Sequence, residues 1–456
     1  MSATVSTKNQ PTLHEARAKL ISLIAARGRP DRYAALLSRC RTSAAQDLIC
    51  RVYGEIADWE AKTKKRVRRR LARTGVVFTE ALERLVGDLL RARAANNGTG
   101  RVFHALGRTT FDDVPVSYDV FIGLLDGLQG LGLLGVEKGH RKSGRTSAFW
   151  ATDKLVQLAE SFGVHLDNIS EHFKPEPPHS PLVLRGYGYR IGRRKIEGPI
   201  IRDYERTEHT ERLEADIREL NDFLARCDIS GGEHYGFTRN FNNASWKKGG
   251  RLYSIGGGYQ QLPEDQRLKM TINGEAVAET DVKASHLTIY HAKLKCPLSR
   301  NSDPYERVGA DRAVAKLWTV ASFGNSTPAT RWPPDMAKKY QEDTGKELRA
   351  VAKATDIGKK MLKAFPALRR LKEFKGMNIW GDLQFIEAEA VINTMLILMR
   401  EHRIPCLSTH DGIIVPKSGV RWTKAILTQQ YRKFAGVEPV LTVDPEEADY
   451  VSALDL

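Results

Sequence analysis

The dipeptide Asn273-Gly274 separates two short strand-like runs, Leu268–Ile272 and Glu275–Asp281, and constrains the chain more than any other local feature. Both residues tolerate the positive φ angles of a type I′ turn. The spacing therefore predicts an antiparallel hairpin that delivers Asp281 to the end of a strand. A helix is expected next, carrying Ser285, His286 and Leu287. A second run, Ile404-Pro-Cys-Leu-Ser-Thr-His410-Asp411-Gly-Ile-Ile-Val-Pro416, reads as strand, tight turn, strand with Asp411 at its tip. If the two hairpins are neighbours, the carboxylates form a pair that can hold two Mg²⁺ ions. That arrangement activates an attacking oxygen and steadies a leaving one in phosphoryl transfer. An Asp at a strand end is commonly a turn residue and nothing more, so the surroundings must carry the case.

Between the runs lies Arg312-Ala-Val-Ala-Lys316-Leu-Trp-Thr-Val-Ala-Ser-Phe323-Gly324. On a helix, Arg312, Lys316 and Phe323 share one face. Two cations and a ring suit a nucleoside triphosphate, the charges for its phosphates and the aromatic for its base. The competing reading is a surface helix with an apolar anchor. Charge balance favours a phosphate-rich partner: 71 Lys and Arg stand against 55 Asp and Glu, a net charge of +16 over 456 residues. Such a field attracts nucleic-acid backbones. The densest cationic run, Lys62 to Arg73, fits nucleic-acid contact or a solvated helix face. Five scattered cysteines (Cys40, Cys50, Cys227, Cys296 and Cys406) show no C-x-x-C spacing. They argue against a disulfide framework or a zinc module. With no apolar run long enough for a membrane span or a signal-peptide core, a cytoplasmic setting is expected.

Residues 1 to about 12 are polar, and helical apolar spacing follows to about 98, with Leu20, Leu23 and Ile24 and later Leu82, Leu85, Val86, Leu89 and Leu90. Asn96-Asn-Gly-Thr-Gly100 breaks it. A helix from about Ser117, with Phe121, Leu124, Leu125 and Leu128 on one face, is followed by a strand at 133–136. A basic loop, Lys138 to Arg145, leads to a second strand at 146–152. Helix, strand, basic tip, strand resembles a winged helix-turn-helix module, whose wing cations lie on phosphates; an ordinary charged hairpin has the same outline. The stretch Lys174-Pro-Glu-Pro-Pro-His-Ser-Pro181 reads as a linker, because its prolines neither donate to a ladder nor continue a helix. Beyond it, 205–227 reads as an amphipathic helix with Leu213, Ile217, Leu220 and Leu224 on its apolar stripe.

Residues 245–456 resemble the family A DNA polymerases, relatives of bacterial DNA polymerase I and of the single-subunit phage RNA polymerases. Gly250-Arg251-Leu252 with Gln260-Gln261-Leu262-Pro263 is similar to that family's G-R-L…Q-N-(I/L)-P segment. Asp281-Val-Lys-Ala-Ser-His286-Leu287 resembles motif A, Arg312 to Gly324 motif B, and His410-Asp411-Gly412 motif C. Gln384-Phe-Ile-Glu-Ala-Glu389 is similar to the Q-x-x-A-A-D element. Five elements in the family's order make the resemblance specific. The departures are Phe323 for the common Tyr with an interval one residue shorter, Gly412 for the common Glu, and His286 for the Glu that crowds the sugar 2′ position.

The resemblance implies an α+β right-hand polymerase with palm, fingers and reduced thumb, preceded by a helical and winged-helix-like N-terminal region. The expected divisions are a helical basic region at 1–98, a winged-helix-like domain at 99–172, and a linker with thumb-like helices at 173–244. The polymerase region follows at 245–456, with fingers at about 296–380. Two Mg²⁺ ions would be held by Asp281 and Asp411, with the Val282 carbonyl as a further ligand. Arg312, Lys316, Phe323 and His286 would contact the nucleotide, and Arg251, Gln260, Gln384 and His410 the primer and template. The implied activity is DNA-directed DNA synthesis from nucleoside triphosphates on a primed DNA template. The alternatives are a primase-like or transcribing RNA polymerase, and a winged-helix DNA-binding protein with a silent palm.

Overall fold

A computed structural model of the chain describes residues 32–63, 70–94, 100–111, 114–139, 146–176, 180–191, 194–196, 198–255, 258–296, 298, 303–374 and 379–445. The expectations for residues 1–12, for Leu20, Leu23 and Ile24, for 64–69 within the 62–73 run and for 140–145 of the 138–145 loop lie outside these residues. The chain divides into two compact units, Met1–Pro178 and His179–Leu456, and each has its own hydrophobic core. No helix among the described residues is long and apolar enough to cross a membrane. The five cysteines are free.

The first unit opens on β1 (Arg32–Tyr33) and β2 (Ser38–Cys40), in place of the helix expected there. The cause is a tertiary anchor. Asp88 accepts from Leu36 N at 2.7 Å and from Ser38 Oγ at 2.6 Å, and Leu36 stands at φ 54°, outside the helical region. Helices α1 (Ser43–Lys62) and α2 (Ala72–Ala94) follow, α1 starting where the Thr42 hydroxyl accepts from Ala45 N. Then come β3 (Arg101–His104), α3 (Tyr118–Gly130), β4 (Leu134–Glu137), β5 (Ser147–Ala151), α4 (Asp153–Ser161), α5 (Ile169–His172) and β6 (Phe173–Pro175). The sheet order is β1-β3-β5-β4, with β5 antiparallel to both neighbours. Helix α3 buries Phe121, Leu124, Leu125 and Leu128, the face its spacing predicts. One core joins Leu48 of α1, Leu85 of α2, Phe121 and Phe149. The regions expected at 1–98 and 99–172 therefore share their apolar interior.

The second unit begins with β7 (Leu182–Arg185), β8 (Tyr189–Ile191), β9 (Arg194–Ile196), β10 (Ile200–Ile201), α6 (Glu208–Leu224), β11 (Ile229–Ser230), β12 (Phe237–Phe241) and β13 (Gly249–Ser254). The thumb-like helices expected at 173–244 are thus corrected. Among the described residues of 190–240 only α6 is helical, capped by Thr207 and Thr210 in a reciprocal box, and strands fill much of the rest. Next come α7 (Glu264–Arg267), β14 (Thr271–Ile272), β15 (Glu275–Val282), α8 (Ser285–Lys293), α9 (Arg312–Asn325), α10 (Pro334–Thr344), α11 (Leu348–Val351), α12 (Ala354–Ala364), α13 (Ile379–His402), β16 (Leu407–Ser408), β17 (Gly412–Pro416), α14 (Val420–Ala435) and β18 (Leu441–Asp444).

Six strands form the sheet that carries the two aspartates, in the order β11-β14-β15-β17-β16 with β18 also on β15. Asn273 and Gly274 hold φ 53° and 80° between β14 and β15, the turn their sequence requires. The first strand of that hairpin is shorter than expected, because residues 268–270 form the turn that ends α7, with Leu268 N donating to Glu264 O and Met270 N to Arg267 O, each at 3.0 Å. Val277, Ala278, Glu279 and Thr280 are all buried. Strand β15 therefore lies covered on both faces, which is why its sequence does not alternate cleanly. Its one buried acid, Glu279, is held by Arg267 through two hydrogen bonds of 2.9 and 2.7 Å. Helices α13 and α14 pack on each other and against β17, and α8 packs on α13.

Candidate active site

Asp281 and Asp411 come together through strand register. In the β15–β17 ladder Asp281 stands opposite Gly412, the residue after Asp411. The turn is closed by Thr409 N donating to Gly412 O at 3.0 Å, and Val282 N donates to the Asp411 carbonyl at 3.2 Å. Gly412 is required sterically. A Cβ there would collide with Asp281 Oδ1 and lie 2.7 Å from Thr409 Oγ1 and 2.8 Å from Thr280 O. Gly412 thus makes room for the Asp281 carboxylate, whose Oδ1 also accepts from Thr409 Oγ1 at 3.5 Å.

Burial, then Glu279 and Asp411, raise the Asp281 carboxyl to about 7. Burial and Glu387 also raise Asp411, while Lys316 and Arg251 pull it back. Two carboxylates that resist ionising together form a site that favours a cation. Among the described residues no three His, Cys, Asp or Glu side chains converge on one ion position. The donor set is therefore two carboxylates, which suits Mg²⁺ that completes its shell with water and substrate phosphates.

The sign of this coupling gives a pH prediction. A carboxyl with a raised folded pKa stabilises the fold below its ordinary range, near 4, and loses that contribution as pH rises through about 7. If the pair holds Mg²⁺, the ion competes with the proton and restores stability only where the pair is ionised. Added Mg²⁺ should raise Tm clearly more at pH 8 than at pH 5 in calorimetry, and Asp281→Asn should erase the difference. Equal shifts at both pH values, or a shift that survives in Asp281→Asn, would contradict this origin.

Helix α9 begins at Asp311, whose side chain accepts from Val314 N at 3.0 Å. Its first two turns expose Arg312 and Lys316. Arg312 is half committed: its Nε donates to the buried Asp303 at 2.6 Å. Lys316 pairs with no described residue, and its charge reaches Asp411. Phe323, expected to stack on a base, requires correction. It is 1% exposed, with its ring 5.2 Å from that of Tyr290 in the core. The helical face that is open at Arg312 and Lys316 turns inward before Phe323.

The residues expected at the primer end have other partners. Gln260 spends both ends of its amide on backbone: Oε1 accepts from Ser254 N at 2.8 Å, and Nε2 donates to Ser408 O at 2.8 Å and Leu252 O at 3.3 Å. It ties β13 to β16 and leaves nothing for a template. Gln384 is 9% exposed on α13, which removes it from an open surface. His410 stands at φ 81°, its ring 5.0 Å from that of the partly exposed Tyr253. Burial and the Arg251 charge push its imidazole down to about 4, so it is neutral at pH 7. Its Nδ1 is buried, with no hydrogen-bond partner among the described residues.

Arg251 and His286 meet at a residue that sequence reasoning left without a role, Glu387. This carboxylate is 1% exposed. It accepts from Arg251 Nε at 2.9 Å and from Arg251 Nη2, and its second oxygen accepts from Ser285 Oγ. Burial opposes its ionisation, but Arg251 first and then His286 and Ser285 outweigh that cost and hold it well below the ordinary carboxylate range. The available signal was an acid three residues after Gln384 on a helix otherwise rich in buried apolar side chains.

No protein-family model matches the chain, and no curated protein matches it. Among solved structures it is similar to the POL domain of Pol1 from M. smegmatis in complex with DNA primer-template and dNTP, at 14% identity and a TM-score of 0.27. That match covers 89% of this chain, which spans 66% of the length of the other.

Proposed function

We propose that the chain is a template-directed nucleotidyltransferase, specifically a DNA-directed DNA polymerase acting on a primed DNA template with deoxynucleoside triphosphates. The observation that carries this reading is the pairing of Asp281 with Asp411 across β15 and the β16–β17 turn, within reach of the Lys316 charge. Here β11 and β14–β18 with α8, α13 and α14 form the palm, and the helices between 296 and 380 form the fingers. Asp281 and Asp411, with the Val282 carbonyl, would hold the two Mg²⁺ ions, which when bound neutralise charge on the reacting and leaving oxygens.

The chain's own groups do the rest. Lys316 offsets the phosphate charge that grows as pyrophosphate leaves, and Arg312 adds the N–H groups not engaged by Asp303. Arg251, held by Glu387, lies beside the electrostatic reach of Asp411, where a primer terminus belongs. Neutral His410 stands within the electrostatic reach of Arg251 and Glu387. Primer extension with dNTPs and with rNTPs, each with and without primer, separates this reading from an RNA-making or primer-independent enzyme. Absence of any addition would favour a silent palm.

The first unit is read as an accessory DNA-binding part, with the β4–β5 hairpin as a winged-helix wing. The separate core of the second unit leads us to expect that 179–456 folds alone. Lacking the cations of 62–73 and 138–145, the fragment should bind primed DNA more weakly. Its slope of log affinity on log salt should be shallower by about 0.9 for each phosphate it no longer neutralises. Titrations at three or more salt concentrations check this, and an unchanged slope would contradict the assignment.

A further inference from the structure

We propose that the groove between α6 and the end of α13 is a docking site for a partner protein. Its occupant is a short segment that sets one apolar side chain between two carboxylates. The nucleotidyltransferase reading is not needed for this, because the groove stands apart from the aspartate pair. Met399 lies twelve residues beyond Glu387 on α13, about 18 Å along the helix axis. The groove has a volume of about 440 Å³, within the range of pockets that take small ligands. Its apolar lining is Phe223, half-buried, and Met399, 2% exposed. Arg226 and Arg403, both exposed, reach it from just beyond the ends of α6 and α13.

The sequence builds this groove in two steps. Leu213, Ile217, Leu220 and Leu224 turn one stripe of α6 into the core, which leaves Phe223 beside that stripe and open to the groove. Arg400 then ties the two helices together. Its Nε donates to Glu219 at 2.9 Å and its Nη2 to Asp216 at 2.6 Å. Two helices clamped in this way keep the recess open without an occupant.

The charges left over select the occupant. Glu219 is matched by Arg400, and Arg218 by Glu214. The side chains of Arg226 and Arg403 pair with no described residue, and of the acids lining the groove only Asp222 is likewise unmatched. Two cations against one acid favour a ligand with carboxylates, which a guanidinium takes through two parallel N–H groups. A nucleic-acid backbone is disfavoured, because Glu208, Glu211, Glu219 and Asp222 are all exposed along α6 and would meet its continuous charge. A segment with acids at only two points avoids that repulsion. Trp422 of α14, 49% exposed, lies against His402, the neighbour of Arg403, at 4.1 Å between rings. Arginine and tryptophan around an apolar recess are the composition of a protein-binding hot spot.

The test pans a phage library of random peptides, each about twelve residues long, on the full chain after depletion on the double variant Arg226→Glu/Arg403→Glu. Peptides that combine Asp or Glu with Phe, Leu or Trp should be enriched. One of them, synthesised with a fluorophore, is then titrated by anisotropy. Each single reversal should weaken its binding at least about fivefold and the double reversal at least about twentyfold, whereas Asp222→Asn should tighten it about twofold. None of the three side chains pairs with a described residue, so Tm should hold within a few degrees. If the reversed pair melts low, Arg226→Ala with Arg403→Ala replaces it, with at least about fivefold weakening. No enrichment, enrichment of basic or wholly polar peptides, or affinity unchanged in the double variant would overturn the proposal. So would self-association in sedimentation that the double variant abolishes, which assigns the groove to a second copy, or single-stranded DNA binding lost in that variant.

Discussion

Replacing Asp281 or Asp411 by Ala should lower nucleotide addition at least about a thousandfold, roughly 4 kcal/mol of transition-state stabilisation, while DNA affinity stays within a few-fold. The two quantities should separate, because in the proposed function the carboxylates serve the chemical step and backbone phosphates are met by cations elsewhere. Loss of fold is not an alternative explanation. Both carboxyls have raised pKa values because each is buried near other acids. Removing one relieves repulsion, so without metal the variants should melt no lower than wild type at pH 8. Single-turnover extension, DNA titration and calorimetry on the same preparations check the three parts. A variant that keeps a tenth of wild-type turnover with Mg²⁺ would contradict the paired-carboxylate assignment.

The second large effect concerns α9. Lys316→Ala should cost about 3 kcal/mol in single-turnover rate at saturating nucleotide, some 150-fold, the scale of losing one preorganised charge-stabilising donor. Lys316 is exposed, pairs with no described residue, and its charge bears on Asp411. Lys316→Arg should recover only part of the rate, since a planar fork does not replace a compact ammonium. Arg312→Ala should be milder in rate but harsher in stability. Its partner Asp303, 3% exposed, also accepts from Tyr305 N and would be left as a buried charge without its cation. Equal rate effects at the two positions would mean that the helix presents its cations as a general surface and not as a site.

What could be read directly from the sequence was local. Asn273-Gly274 permits few backbone conformations, so the hairpin that carries Asp281 follows from two residues, and the strand-turn-strand around Asp411 follows from its β-branched flanks. Helix α3 and its buried face were equally plain, because an amphipathic period needs no partner to be recognised.

What failed depended on partners distant in sequence. Nothing near Leu36 announces that Asp88, 52 residues later, pulls that segment out of helix. The helical wheel put Phe323 beside Lys316, but a wheel cannot show where Tyr290 covers the face. Gln260 was assigned to the template by resemblance, and the backbone of β13 and β16 had already claimed its amide. Glu387 was hidden because α13 is apolar over most of its circumference. Periodicity then marks no inward stripe on which a lone acid would stand out.

The central claim is that Asp281 and Asp411 serve templated nucleotidyl transfer. Its most direct test is single-nucleotide extension of a primer on four templates that differ only in the first unpaired base, with all four dNTPs offered one at a time and Mg²⁺ present. The account predicts addition of the complementary nucleotide on each template and none in Asp411→Ala. Addition independent of the template base, or addition that persists in Asp411→Ala, would contradict it.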